Sequence, residues 1–348
     1  MKPNEYKMND IDFEWENFLS GTALSTLPIQ SKKDGVVPTS TPIYVSTKTI
    51  ITFLDKPIDL KLLFWKLDII SYGSPAEGII KKQMKFNSTQ REEITYIETQ
   101  MEKYEYCSCK ILQHIDNING RIKFKDTRKV TVGISKKDLL SYRTKQKGAF
   151  YNCFVMYIRV KIAERFKEFH VKVFNTGKVE FTGIQEDEHL KLIINILLEN
   201  LNRYSDIQVS HVVGSEVSVL INSNFNCGYF IHRDKLFNIL RHQYHISAVY
   251  DPCSYPGIQC KLYYNDANEI IINPSKNELE NVTWFMVFRT GSILIVGKCN
   301  LEVLNNIYNY LKNIMIIEYN NIVDLNCSHI KKILKNKRFR KKILIPCG

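Results

Sequence analysis

The sequence has no C-x-x-C pair, no run of 18 apolar residues and no apolar N-terminal signal. Its nine cysteines are odd in number, so a disulfide framework is not expected. The missing apolar segments argue against a membrane span or a secreted route, and point to a soluble intracellular chain with reduced thiols. Also absent are a P-loop, G-x-G-x-x-G, H-E-x-x-H, a nucleophile elbow and any acid/base pair whose spacing demands catalysis. These absences predict a non-enzyme that needs no cofactor and no metal. The nearest approach to a metal set, His242, His245, Cys253 and Cys260, reads H-x2-H-x7-C-x6-C and fits no familiar tetrahedral site. Cys107-x-Cys109 is a weaker candidate still. The last 18 residues, KKILKNKRFRKKILIPCG, have no acid and eight basic side chains, which suits a polyanion partner, a localisation signal or a solvated end.

What is present is enough for a core. The chain has 348 residues, 44% of them apolar, which allows one large or two ordinary domains. Its formal charge is +12, from 48 basic and 36 acidic residues. Residues 1–40 read as a flexible arm, with a Pro/Ser/Thr-rich run before a first strand near Pro42. Within the arm, NDIDFEWENFL mixes four acids with Phe13, Trp15 and Phe18; it suits a disordered or partner-docking segment, or an acidic mimic of DNA.

In DKPIDLKLLFWKLDII, Leu60, Leu63, Phe64 and Leu67 share one helical face, and Pro57 and Asp59 suit the helix start. In EDEHLKLIINILLENLNR, Leu190, Ile193, Ile194, Leu197 and Leu201 do the same, with acids in the first turn and Arg203 near the end. The order then recurs: HVVGSEVSVLINSNF reads as strand, FIHRDKLFNILRH as helix, YPGIQCKLYY and TWFMVFRTGSILIVG as strands, and NLEVLNNIYNYLKNIM as helix. The hairpin FNTGKVEFTG at 174–183 returns as FRTGSILIVG at 288–297. The chain therefore reads as an internal duplication. Residues 41–205 form a first copy, with an insertion at 87–150 that could be its own small element around RIKFKDTRKVTVGI. Residues 206–318 form a second copy, and 319–348 a basic tail.

YVSTKTIITF, VKVFNTGKVEFTG, YDPCSYPGIQCKLYY and FMVFRTGSILIVG, in order with helices between, resemble the two repeats of the TATA-box-binding protein (TBP) family. The Asn/Ile/Lys-rich composition and the insertion make the chain most like the diverged TBP-like transcription factors of large DNA viruses. The resemblance implies an α+β saddle: two pseudo-repeats, each a curved antiparallel sheet backed by two helices. It implies a concave face in the minor groove of A·T-rich DNA, where readout depends on groove width and deformability and apolar wedges unstack base steps. This family is itself one of the standard examples of such binding.

Carried over by position, the wedges are Phe174, Phe288 and Tyr255, with SPAEGII aligned to CSYPGIQ so that Ala76 stands at a fourth, lost wedge. Without the resemblance, Phe174 and Phe288 read as ordinary hairpin core residues. The groove floor falls on Val45, Thr182, His211, Val213, Leu294 and Val296; the family's paired asparagines fall on Ile43 and His211, neither an amide. Glu180 replaces an apolar DNA-facing residue, and a carboxylate facing a polyanion is unfavourable. Lys82, Lys178 and Lys261 stand at phosphate-contacting positions, as point charges without the arginine fork. Tyr250, Asp251 and Pro252 begin the stirrup that docks a TFIIB-like factor.

The resemblance thus implies a transcription initiation factor that binds and bends double-stranded A·T-rich promoter DNA and recruits a TFIIB-like factor and a multisubunit RNA polymerase. It would act in the host nucleus, a cytoplasmic viral factory or the virion. One alternative is a protein-interaction module of a polymerase-associated complex that no longer binds DNA by itself. The other is a DNA-processing enzyme with its catalytic segment in the insertion.

Overall fold

The computed structural model describes residues 37–140, 152–204, 208–272, 274 and 281–325. The acidic arm before residue 37, residues 141–151 at the end of the insertion, and the basic run after residue 325 lie outside the described residues.

The first half runs β1 (Tyr44–Phe53), α1 (Leu60–Lys66), β2 (Gly78–Ser88), α2 (Arg91–Met101), β3 (Cys107–Asp116) and β4 (Phe124–Gly133). It continues with α3 (Lys136–Leu140), β5 (Cys153–Ile162), β6 (Arg165–Phe174), β7 (Lys178–Ile184) and α4 (Asp187–Tyr204). The second half runs β8 (Val217–Asn226), α5 (Arg233–His242), β9 (Ser247–Val249), β10 (Ile258–Tyr264) and β11 (Ile270–Ile271). It closes with β12 (Val282–Val287), β13 (Ser292–Gly297), α6 (Leu301–Ile317) and α7 (Tyr319–Ile322).

The described strands form one antiparallel sheet in the order β11-β10-β12-β13-β8-β1-β7-β6-β5-β2-β4-β3, with β9 beside β10. The sheet reads outward from a central seam where β1 pairs with β8. On one side lie β7, β6, β5 and β2; on the other, in matching places, lie β13, β12, β10 and β9.

The helices form as their periodicity predicts. Asp59 caps α1 by accepting from the Lys61 and Leu62 amides at 3.0 and 3.1 Å, and Asn300 caps α6 through the Val303 amide at 2.8 Å. The expected apolar faces of α1 and α4 are all buried. They pack on Phe154, Met156, Val171 and Phe181, whereas α5, α6 and α7 cover a second core around Phe225, Phe285, Ile293 and Ile295. Both cores lie on one face of the sheet; among the described residues the other face is open along much of the strands, with α3 over part of it.

The two hairpins match bond for bond. Gly177 donates to the Phe174 carbonyl and Gly291 to that of Phe288, each at 3.0 Å. Both glycines have positive φ, +84° and +79°, and a Cβ would meet the Lys56 carbonyl oxygen at 2.7 Å in one and that of Tyr229 at 2.2 Å in the other. The segment before each first helix docks identically: Leu54 N and Cys227 N donate to the two glycine carbonyls, and Ile58 N and Ile231 N to Asn175 and Arg289.

The insertion departs from expectation. β2 follows α1 as β9 follows α5, so GIIKKQMKF corresponds to β9; the counterpart of IQCKLYY is β5. Everything from α2 to α3 therefore stands where the second half has only the turn between β9 and β10. β4 pairs with β2 from Lys81 to Ser88 and β3 pairs with β4, so these strands continue the main sheet and do not form a separate element. The second-half strand also begins later than HVVGSEV suggested: residues before Val217 include a turn closed by Ser215 N to the Val212 carbonyl at 3.2 Å. At the far end, Tyr319 and Ile322 of α7 belong to the core, so the second half extends past residue 318. Among the described residues no helix is long and apolar enough to cross a membrane.

Candidate nucleic-acid interface on the open face

Side chains alternate along each strand, so residues between the buried core positions line the open face. In the second half one transverse row runs Gln259, Met286, Leu294, Asn224 and Tyr44, and the next runs Lys261, Trp284, Val296, Asn222 and Thr47. Each core neighbour, Cys260, Phe285, Ile295, Ser223 and Phe225, is buried. The Lys261 ammonium lies 4.7 Å from the Trp284 ring centroid. Asn222 and Asn224 donate to the hydroxyls of Thr47 and Ser46 at 3.1 and 2.7 Å, which fixes the amides beside the seam. This half offers an apolar strip edged by two amides and a lysine.

The first half has the same geometry with different chemistry. Its rows are Val155, Lys172, Glu180 and Ile51, then Tyr157, His170, Thr182 and Thr49. Lys172 and Glu180 form a half-buried ion pair. Part of this face is also covered. Asp138 of α3 takes both its oxygens to the Lys81 ammonium at 2.7 Å and accepts from the Ser135 amide and hydroxyl at 2.8 and 2.6 Å. The Lys136 amide donates to Glu168 at 2.9 Å. Burial opposes ionisation of Asp138, but the bonds from Lys81 and Ser135 hold its carboxyl below the ordinary value. Burial, with Lys172 beside it, pushes His170 down to about 4, so it is neutral at physiological pH.

The structure sorts the residues expected from sequence. Thr182, Leu294, Val296 and Lys261 stand on the open face. Phe174 lies half-buried at the end of β6, with the Lys178 ammonium 5.4 Å from its ring centroid. Tyr255 and Phe288 come together, ring centroids 5.9 Å apart, above Gly257, whose Cβ would meet Phe288 at 3.0 Å and Tyr255 at 3.1 Å. Phe288 is 4% exposed, so it is covered and does not project as a wedge. Tyr250 packs on Phe237 and lies under Arg233. Asp251 and Pro252 are exposed on the turn that follows, where Asp251 accepts from Cys253 N at 3.0 Å.

Five further positions are corrected. Lys82 is fully buried on the helix side: its ammonium donates to the carbonyls of Phe64 and Leu67 at 2.7 and 2.5 Å and to Tyr104 Oη at 3.1 Å. It caps the end of α1, where helix carbonyls lack partners, and does not face a phosphate. Val45 packs, with Ile43, against the second core. His211 is held beside β1 by Thr52 Oγ1 at 2.8 Å and Glu216 at 3.3 Å, and Val213 is 86% exposed on the turn before β8, so neither lies on the groove floor. Ala76 is likewise not the counterpart of Tyr255: it precedes β2, and its carbonyl accepts from Arg159 Nε at 3.0 Å.

The sequence reading missed Asn222, Asn224, Trp284 and Met286. The alternation in INSNFN, polar against Ile221, Ser223 and Phe225, is the signal that could have found the amides. The described cysteines are free thiols, and among the described residues no three metal-ligating side chains converge.

An antiparallel sheet with two matching halves, the core-covering helices on one face and an apolar strip on the other defines, among the described residues, a duplicated sheet platform. No family model matches the chain. It is similar to a TATA-box-binding protein-like protein of Acanthamoeba polyphaga mimivirus, at 23% identity over 351 residues that cover 91% of this chain and 90% of the relative. The likeness to a TBP-like viral protein thus extends over nearly the whole chain. A solved structure of Methanococcus jannaschii TBP aligns with 80% of this chain and 99% of its own, at 13% identity and a TM-score of 0.38.

Proposed function

We propose that this chain is a TBP-like transcription initiation factor, a non-enzyme whose two half-sheets form a saddle that binds and bends A·T-rich DNA through the minor groove. The observation that carries the reading is the open face of the second half: exposed Trp284 with half-buried Met286, Leu294 and Val296 forms an apolar strip, with the half-buried amide of Asn222 and the buried amide of Asn224 beside it. An apolar strip suits the floor of an A·T minor groove, where few hydrogen-bonding groups distinguish the bases, and amides suit its acceptors. Lys261 and Lys178 supply charge for the backbone. The exposed turn that starts at Tyr250 is the docking place for a TFIIB-like factor, through which a multisubunit RNA polymerase is recruited. The name of the mimivirus relative supports the same reading and a viral setting.

A second reading has its own observation. The open face of the first half carries an ion pair and is partly covered by Asp138, which suits a platform that binds protein within a polymerase complex. Bending of an end-labelled A·T-rich duplex, followed by energy transfer, separates the two. Wild type is expected to bend the duplex, and Leu294→Glu, which puts a carboxylate on the strip, to reduce affinity about 100-fold, or about 3 kcal/mol. No bending by wild type, with or without a TFIIB-like factor, would favour the protein-binding reading.

A further inference from the structure

The open face of the first half hides a pair that the second half displays. On β2 the Lys81 ammonium lies 5.2 Å from the ring centroid of Tyr157, its cross-strand neighbour on β5, and His170 stands beside Tyr157 on β6. In the second half Ser247, Lys261 and Trp284 stand in the matching row, with the Lys261 ammonium 4.7 Å from the Trp284 ring centroid. Each half thus sets a lysine against an aromatic ring in one transverse row, the first half one strand further out.

The two lysines have different surroundings. Among the described residues no carboxylate pairs with Lys261, and its aromatic partner is exposed. The Lys81 side chain is only 6% exposed, with Asp138 of α3 against it. Both Asp138 oxygens take the ammonium at 2.7 Å, and Oδ2 also accepts from the Ser135 amide and hydroxyl at 2.8 and 2.6 Å. A second latch holds the start of α3: the Lys136 amide donates to the two Glu168 oxygens at 3.1 and 2.9 Å. The Asp138 side chain is itself 44% exposed, so solvent reaches the carboxylate while the carboxylate withholds the lysine.

A carboxylate and a backbone phosphate offer an ammonium the same thing, negative charge shared between acceptor oxygens, so one excludes the other. We propose that Lys81 is a concealed phosphate-contacting residue and that α3 is an autoinhibitory cover, its Asp138 holding the place of a DNA phosphate. The inference rests on the reading that the open face meets duplex DNA. While the cover is closed, Lys81 adds nothing to binding. Once the carboxylate leaves, the lysine adds one phosphate contact to the first half, as a point charge without base specificity.

The test uses the full chain and an A·T-rich duplex of about 30 base pairs, roughly three helical turns. Binding is titrated across a salt series for wild type, Asp138→Asn, Lys81→Gln and the double variant. With about 0.9 in log–log salt slope per phosphate contact, Asp138→Asn is expected to steepen the slope by about 0.9 and to bind more tightly than wild type. Lys81→Gln should leave the wild-type slope unchanged, and the double variant should match Lys81→Gln. Ser135→Ala, which keeps every charge and loosens the carboxylate, should move the slope the same way by less, and serves if the Asp138 variant does not fold. Equal slopes in wild type, Asp138→Asn and Ser135→Ala would make α3 a structural turn and overturn the cover alone. A steeper slope that persists without Lys81 would also overturn it, because loss of a negative charge would then suffice. So would a wild-type slope that Lys81→Gln lowers, since the lysine would already be on the duplex. Failure of wild type and Asp138→Asn alike to bind at any salt would overturn the DNA reading and the cover with it.

Discussion

The two hairpins share a backbone and differ on one face. Val171, Val173, Val179 and Phe181 in the first half occupy the places of Phe285, Val287, Ile293 and Ile295 in the second, and all eight are buried. Between them, His170, Lys172, Glu180 and Thr182 stand where the second half has Trp284, Met286, Leu294 and Val296. The core positions must stay apolar because each half closes the same helix-covered interior. The open positions answer only to what lies on them, so divergence confined to that face marks a change of contact rather than of fold.

The comparison is broken most strongly through the two lysines that the sequence placed in equivalent roles. Lys82→Met should destabilise the fold by about 2 kcal/mol in urea unfolding, because the Phe64 and Leu67 carbonyls lose their buried donor. DNA bending at full occupancy of the folded state should not change. Burial depresses the Lys82 pKa to about 8, so between that pH and the usual lysine value the unfolded chain holds a proton that the folded chain has released. Wild-type stability should therefore rise across this window relative to Lys82→Met, and a flat difference between the two proteins would remove the assignment.

The next effect is a transplant. Lys172→Met with Glu180→Leu gives the first half the residues of the second and removes a carboxylate from the proposed DNA face. Duplex affinity should increase about tenfold, about 1.4 kcal/mol. No gain would mean that the cover over Lys81 and Tyr157, rather than the ion pair, limits the first half. The smallest effect belongs to Lys261→Gln: a salt slope shallower by about 0.9, read in the same duplex titration. If Lys261 serves only Trp284, the slope will stay and the tryptophan emission will shift.

Much of the fold was legible because it rests on local periodicity. The faces of α1 and α4 and the Phe-x-Thr-Gly hairpins follow from spacing and from glycines that need positive φ. The pairing of the insertion was not legible. GIIKKQMKF and IQCKLYY both follow a glycine and both read as strands, and which one neighbours β6 or β12 is settled by contacts distant in sequence. Lys82 was misplaced for a related reason: strand alternation does not say which face is covered, and a lysine beneath helix carbonyls looks in sequence like one facing solvent. Leu294, Val296 and Lys261 could be placed on the open face from sequence because the hairpin and the Pro-Gly turn anchor their register. His211 and Val213 were misplaced because HVVG has strand composition but ends in a turn.

The central seam governs how this molecule can fold. At its start β1 and the residue before it set Val45 and Ile43 against the second core, and at its end Ile50 and the following Leu54 lie in the first, while Thr41, through its carbonyl, accepts a bond from Tyr308 Oη at 2.9 Å. A strand from the start of the chain thus completes the half made last. The two copies should therefore unfold as one cooperative unit despite their separate cores, and the slow step of folding should be the pairing of β8 with a β1 made long before it. Severed at the sequence boundary between the copies, the second piece would have a naked β8 edge and an unfilled place beneath it. It should associate or unfold rather than survive as half a platform.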